Sequence, residues 1–204
     1  MLVSPVRDRS AERRTATRSE ILDAAWHIAR EKGLAELTLR DVAARVGMRA
    51  PSLYSYFASK NDVYDAMFGQ AWTEYLVVVE AMDKTMPRSP RVGIRKAARA
   101  FFDFATADLA RYQLMNQRTI SGFKPTALAY APAVEVLERV RAQLRRYGVV
   151  DPASLDLITA VVGGLVDAQL ANDPGGDRWS GLLDHAMDMI ADDAGIPTSG
   201  KRLS

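Results

Sequence analysis

The sequence predicts an all-α chain. Three observations carry that expectation. Apolar residues recur at i, i+3, i+4 and i+7 in almost every segment. Glycine closes one run, and Ser, Thr or Asp opens the next, at helix-length intervals. No stretch rises above these signals with the polar–apolar alternation of a half-buried strand. About nine helices follow, with no internal repeat and no low-complexity segment.

Composition narrows the chemistry. At 204 residues the chain can bury a sizeable core. It contains no cysteine, so disulfides, zinc–cysteine sites and cysteine nucleophiles are excluded. No apolar run approaches the ~18 residues of a membrane span. Residues 1–14, MLVSPVRDRSAERR, lack the apolar core of a secretory signal. A cytoplasmic protein without a membrane partner is the expectation. The net charge is +2, unevenly placed. Residues 1–60 carry 11 Lys and Arg against 7 Asp and Glu, a balance of +4, whereas residues 61–204 carry 16 against 18, a balance of −2.

Taken in order, residues 1–14 read as a flexible basic arm containing Pro5, Arg7, Arg9, Arg13 and Arg14. Thr15 to Lys32 forms the first long helix. Its apolar stripe is Ile21, Leu22, Ala25, Ile28 and Ala29, and Gly33 stops it. His27 and Trp26 within it read as surface or packing residues. Thr38, with Asp41 three residues on, reads as a capping box for a second helix. Leu39, Val42, Ala43 and Val46 give that helix one apolar face, and Gly47 supplies a left-handed stop. Pro51 then marks a third, short helix of roughly Ala50 to Phe57. On a wheel of about 100° per residue, Leu53 and Phe57 fall beside Ala50 and point inward. Pro51, Ser52 and Ser55 fall opposite, flanked by Tyr54 and Tyr56. Two short helices joined by a tight glycine turn, the second presenting small and hydroxyl side chains, make a helix-turn-helix. Its second helix can enter a DNA major groove.

Further along, Ser59 and Asp62 read as another capping box. The helix from Lys60 through Val63, Met67, Trp72, Tyr75 and Val79 to about Met82 connects residues 15–60 to a larger helical domain, residues 61–204. Ser89-Pro90 opens the next helix, with Ile94, Phe101 and Phe102 inside. Asp108 caps a short helix. A loop over Ser121 to Pro125 precedes a helix from about Thr126 to Tyr147, whose first turns Pro132 disturbs. Asp151-Pro152 starts a strongly apolar helix. Its Gly163-Gly164 pair costs about 1 kcal/mol per glycine and predicts a close helix approach or a kink beside a pocket. A last helix is expected from about Asp177 to Asp193. These two final helices carry more apolar surface than one subunit obviously needs, and a second copy would complete a four-helix interface.

The run T-L-R-D-V-A-A-R-V-G-x-x-x-x-x-L-Y-x-Y-F-x-S-K, residues 38–60, resembles the DNA-binding signature of TetR-family transcriptional regulators. The resemblance extends upstream through R-x-x-I-L-D-A-A-W-x-I-A-R-E-K-G-L to Arg18 and downstream to about Phe68. It implies an N-terminal DNA-binding domain followed by a ligand-binding and dimerisation domain. It implies that Arg40 holds a phosphate or a base, and that Arg49, Ala50, Pro51 and Ser52 enter the groove. Tyr54, Tyr56 and Lys60 would meet phosphates, with Thr38 and Ser55 completing the DNA-facing set. The basic arm is either a solvated tail or a minor-groove contact. One departure stands out. The family usually has a small hydroxyl residue where this chain has Arg49, so a cap is lost and a groove-facing cation gained. Arginine bidentate to guanine is the commonest specific contact, and Arg49 is predicted to read a base.

The resemblance also implies dimerisation through the last two helices, here Leu155, Ile158, Val162, Leu165, Leu182, Leu183, Ala186 and Ile190. An effector pocket would lie in the larger domain, with Phe101, Phe104, Tyr112, Met115, Phe123, Tyr130 and Gln169 as candidate lining. With few interior charges, an apolar or aromatic ligand is expected. The function so read is a ligand-responsive dimeric repressor on a palindromic operator, with no cofactor and no metal. An architectural DNA binder without sequence choice is the alternative. An enzyme is disfavoured: the two histidines, His27 and His185, lie far apart, no phosphate loop, metal spacing or nucleophile motif is present, and Asp103 and Asp108 read as surface and cap.

Overall fold

The structure, a computed structural model, describes residues 9–197. Nine α-helices and one 3-10 turn account for the regular structure among these residues, with no strand. The helices are α1 (Arg9–Lys32), α2 (Leu39–Val46), α3 (Ala50–Leu53), α4 (Lys60–Asp83), α5 (Pro90–Thr106), α6 (Leu109–Asn116), α7 (Ala127–Arg146), α8 (Pro152–Asn172) and α9 (Leu183–Asp193). The 3-10 turn, Ser180–Leu182, leads into α9.

The expected local signals mostly operate as chemistry requires. The Ser59 hydroxyl accepts from Asp62 N while Asp62 accepts from Ser59 N, a complete capping box. Asp108 caps α6 through Arg111 N at 3.1 Å, and Asp151 caps α8 through Ala153 N at 3.2 Å. The box at Thr38 is only half formed. Its hydroxyl accepts from Asp41 N at 3.1 Å, but the Asp41 carboxylate turns to Lys32 at 3.5 Å.

Several boundaries differ from expectation. α1 begins at Arg9, so residues 9–14 are helix rather than arm. Their sequence, RSAERR, is rich in helix formers, with Glu12 in the favourable first turn. Arg7 lies outside the described residues. α3 ends at Leu53, not Phe57. The next residues form a turn in which the amides of Tyr56 and Phe57 both bond the Leu53 carbonyl, at 2.9 and 3.1 Å. α9 starts at Leu183, not Asp177, because the side chain of Gln169 captures the preceding backbone: its Oε1 accepts from Trp179 N at 3.0 Å and Ser180 N at 3.2 Å. No neighbour within the described chain stands close to Gly163-Gly164. A Cβ at either would meet nothing within 4 Å. Close approaches occur elsewhere. A Cβ on Gly69 would sit 3.4 Å from the Ala129 backbone, where α4 crosses α7, and one on Gly93 would collide with the Tyr147 ring.

Two apolar clusters organise the interior. The first runs unbroken from Ile21, Leu53 and Phe57 along α4 to Val79 and Met82, and out to Leu114 and Val136. The second joins α5, α8 and α9 around Phe102, Val166, Leu183 and Met187. Burying Leu53 and Phe57 contributes about 1.5–3 kcal/mol each, and this fixes α3, which is too short to hold itself. One further expectation is corrected. α8 averages a hydropathy of 1.4 over a membrane-length window, of which only 22% is buried. No uninterrupted apolar run exists because Asp156, Thr159, Asp167 and Gln169 punctuate the helix, yet its mean is high enough to span. A single such helix is weak evidence for a membrane.

Candidate functional site

α2 and α3 meet across Gly47, which takes φ 76° and lets Met48 N reach back to Ala43 O at 2.9 Å. That left-handed position is open to glycine at little cost and strained for most others. The turn holds α3 with Leu53 and Phe57 fully inside and with Arg49, Pro51, Ser52, Tyr54 and Ser55 exposed. Ala50 and Tyr56 are half-buried. As expected from its sequence, the α3 N-cap residue Arg49 makes no side-chain capping bond.

The rear of α3 is tied to α1. Arg14 donates to Ser55 O at 2.7 Å and lies 5.1 Å over the Tyr56 ring. Arg18 donates to Tyr56 O at 2.5 Å and lies 4.0 Å over the Phe57 ring. These two arginines therefore brace the ledge from behind. On the front, a shallow cleft gathers Thr38, Arg40, Ala50, Tyr54 and Lys60, five of the expected DNA-facing residues. The N-termini of α2 and α4 open onto it, and both favour anions. Lys60 is steadied by a 2.8 Å bond to Ala35 O, which uses one of its three donors. Arg40 and Arg49 are exposed, and their side chains make no hydrogen bond or ion pair among the described residues. Other cations of the region are spent internally, as in Arg45–Glu31 at 2.7 Å. His27 is exposed and meets Glu31 at 3.2 Å, a surface pair.

Residues 21–67 match the family described as "Bacterial regulatory proteins, tetR family". The matched stretch is the helix-turn-helix region of this chain and the start of α4. It is 33% identical over 104 residues to the HTH-type transcriptional activator FasR of Mycolicibacterium smegmatis, covering 50% of this chain and 46% of that protein. It is 38% identical over 60 residues to the HTH-type transcriptional repressor KstR2 of Mycobacterium tuberculosis, covering 29% and 30%. The matched segments thus span less than half of these curated relatives. Among solved structures, the regulatory protein SCO4313 superposes with a TM-score of 0.72 at 20% identity, covering 89% of this chain and 98% of that one. FadR of Bacillus subtilis, solved with stearoyl-CoA, gives 0.61 at 16% identity, covering 84% and 96%. At these identities the structures show a shared fold.

In the larger part of the chain, an apolar cavity of about 180 Å³ lies between α4, α5, α7 and α8. Trp72, Tyr75 and Phe101 line it with aliphatic residues of all four helices, and no charged residue does. Of the residues expected to line a pocket, Phe101 alone is in this wall. Met115, Phe123 and Tyr130 line a different, more polar groove beside Arg118 and Lys124. Phe104 packs on Tyr75, centroids 4.9 Å apart, beneath the Arg111 guanidinium. Tyr112 is buried among the second cluster. Gln169 is consumed by its clamp on the turn before α9. Sequence spacing identifies aromatics on helices but not which of two facing sides encloses space. Trp72, within the apolar run of a long helix, is legible in the sequence as core and not as cavity.

The residues expected at an interface divide between the inside and the outside of the chain. Leu155, Val162, Leu183 and Ile190 are buried inside the chain's own core, and Leu155, Ile158 and Val162 line the cavity. Leu165 and Ala186 are half-buried against the second cluster. Leu182, one of the expected residues, is exposed, and the outward surface beside it is made by Leu157, Ala160 and Gly164 on α8 with Met189 of the last segment.

Proposed function

We propose that the chain is a sequence-specific DNA-binding transcriptional regulator that acts as a homodimer on a palindromic operator. In this reading a small effector in the α4–α8 cavity releases it from DNA, so that it works as a repressor. The observation that carries the reading is the α2–α3 ledge: two unspent arginines, a hydroxyl-bearing short helix and two helix N-termini facing one way. Phosphate contacts from Tyr54, Tyr56 and Lys60 would position the ledge, and Arg49 and Ser52 would read base edges. The whole-chain charge of +2 is too small to drive binding by attraction alone, which favours specific readout over an architectural role. Acting on DNA places the protein in the cytoplasm.

The exposed apolar faces of α8 and α9 support a two-fold dimer. Leu157 is 42% exposed, Leu182 46% and Met189 59%. The small residues Ala160 and Gly164 between them leave room for a second α8. A membrane would also cover these side chains, but Asp156, Asp167, Asp184 and His185 share the exposed surface and suit an aqueous partner better.

α4 is the lever. It is 24 residues long, about 36 Å at 1.5 Å per residue. Its N-terminus carries Lys60 and its middle carries Trp72 and Tyr75 of the cavity wall. Asp65 accepts from both Thr126 N and Thr126 Oγ1, at 2.6 and 2.8 Å, so α4 and the start of α7 move together. Arg30–Asp108 at 2.8 Å and Trp26–Gln70 at 3.1 Å tie α1 to the same body. A ligand shifts DNA affinity only through different affinities for the two forms.

The test is selection of bound duplexes from a random library at two salt concentrations. Enrichment of a palindrome with half-sites about one helical turn, 34 Å, apart is the expected result. Binding without enrichment that collapses with salt would establish the architectural role instead. The position of the selected site relative to promoters distinguishes repression from activation.

A further inference from the structure

The cavity between α4, α5, α7 and α8 carries a polarity that narrows its ligand. Its wall is aromatic and aliphatic, and no Lys, Arg, His, Asp or Glu lines it. Thr159 spends its donor, and Asn116 one of its two, on the protein's own backbone. Thr159 Oγ1 donates to Leu155 O at 2.8 Å, and Asn116 Nδ2 donates to Tyr112 O at 3.4 Å. Trp72 is different. Its indole Nε1–H is buried and has no hydrogen-bond partner. Leaving such a donor unmade costs about 1–3 kcal/mol. Trp26, on α1, solves the same problem by donating to Gln70 Oε1 at 3.1 Å. Beside Trp72, Tyr75 is driven by burial to remain an uncharged phenol. Its ring meets Trp72 edge-on at 6.2 Å.

We propose that the effector is a small, uncharged ring compound bearing one hydrogen-bond acceptor, seated in this cavity with that acceptor on the Trp72 indole N–H. The inference rests on the cavity being the effector site. Size sets the first limit. A cavity of about 180 Å³ is close to the ~150 Å³ that holds benzene in an engineered apolar cavity. One aromatic ring with a short substituent fills it. Charge sets the second limit. A carboxylate or ammonium here would be desolvated with no counter-charge, at a cost of several kcal/mol. The unpartnered donor sets the third. A ketone, ester, ether or aldehyde oxygen satisfies Trp72, whereas a pure hydrocarbon leaves its cost in place. The location also explains how occupancy reaches DNA, because Trp72 sits on the helix whose first residue is Lys60.

Acetophenone and α-methylstyrene are near-isosteric, differing as C=O and C=CH₂, and benzoate adds a charge. Calorimetric affinities of the full chain and of its Trp72→Phe variant are measured for all three. The two neutral probes differ in hydrophobicity, so the deciding quantity is the ratio of their affinities. Comparing that ratio between the two proteins cancels transfer from water. Removing the indole N–H is expected to lower acetophenone binding relative to α-methylstyrene by about 3–10-fold, the value of one hydrogen bond. Benzoate is expected not to bind at 100-fold the acetophenone dissociation constant. An unchanged ratio, or benzoate as tight as acetophenone, overturns the assigned polarity and leaves the cavity as effector site intact. Failure of both neutral probes to bind the unmodified protein overturns the effector site itself. If the variant does not fold, the indole proton resonance of Trp72 in the unmodified protein decides. It moves downfield with acetophenone and not with α-methylstyrene; equal movement overturns the inference.

Discussion

Arg91, near the start of α5, makes a demanding prediction. Its side chain is 7% exposed and holds the far end of the chain. Nε donates to Ile196 O at 3.0 Å and Pro197 O at 3.2 Å, and Nη2 also donates to Ile196 O. Nη1 donates to Asp188 O at 3.3 Å and Nη2 to the Asp192 carboxylate at 2.5 Å. One turn and two turns on, Arg95 pairs with Asp188 and Arg99 approaches Asp184 at 3.6 Å, so α5 and α9 are laced along their length. In Arg91→Ala the partners fare differently. Asp192 is 68% exposed and returns to water, so its pair is worth about 0–1 kcal/mol. The carbonyl of Ile196, a residue only 5% exposed, is stranded at about 1–3 kcal/mol. The buried aliphatic stem adds about 1 kcal/mol. Relief of the guanidinium's own desolvation offsets part of this, leaving about 3 kcal/mol. For a chain of this length that lowers Tm by roughly 6–12 °C, read by thermal denaturation at fixed protein concentration. A fall under ~3 °C, the scale of a surface ion pair, refutes the argument that Arg91 anchors α9.

Four further outcomes are expected. Arg49→Ala weakens binding to the selected operator by about 1–3 kcal/mol and scrambled DNA hardly at all, whereas Lys60→Ala weakens both and reduces the salt slope by about 1; titration on the two duplexes separates them, and equal loss for Arg49→Ala rules out base reading. Met189→Asp places a charge on the outward face of α9 and shifts the chain to monomer in sedimentation while its helicity is retained. Gln143, 6% exposed, has no partner for either amide atom, so Gln143→Met stabilises by about 1–3 kcal/mol in urea titration. Burial raises the phenols of Tyr75 and Tyr112, for Tyr112 with the adjacent Asp167 adding to it. The folded chain then keeps protons that the unfolded chain sheds above the ordinary phenol value of 10.0. Stability is fully present below that pH and falls as pH rises through it; unfolding midpoints at about pH 9 and about pH 11 should differ less in Tyr75→Phe.

Comparing particular elements shows why some features were legible and others not. The α2–α3 ledge was readable because it is built from contacts a few residues apart: a cap at Thr38, a left-handed stop at Gly47, a proline in the next first turn, and two anchors at Leu53 and Phe57. The Arg49 departure was readable for the same reason. Gly163-Gly164 leaves its neighbour open in the sequence because a glycine pair says only that side chains are missing. It does not say whether a neighbour of the same chain stands opposite. Gly93 was passed over although the Tyr147 ring rests on it, since the two are 54 positions apart. The arginine ladder of α5 was invisible because each partner lies about a hundred residues downstream.

The sequence by itself determined the all-helical class, most helix starts and stops, and the helix-turn-helix ledge. Those depend on dihedral preferences, caps and periodicity, all local. Only the tertiary structure decided which face of α8 is spent inside the chain and which is left outside. Leu155 and Val162 go inward to the cavity, and Leu157 and Gly164 outward. α8 is apolar nearly all round, so periodicity gives it no preferred side; the packing of α5 and α9 against it makes the choice. The same packing left Trp72 at a cavity wall with an unanswered N–H. A donor's lack of a partner is a property of everything that surrounds it, and no stretch of sequence contains that.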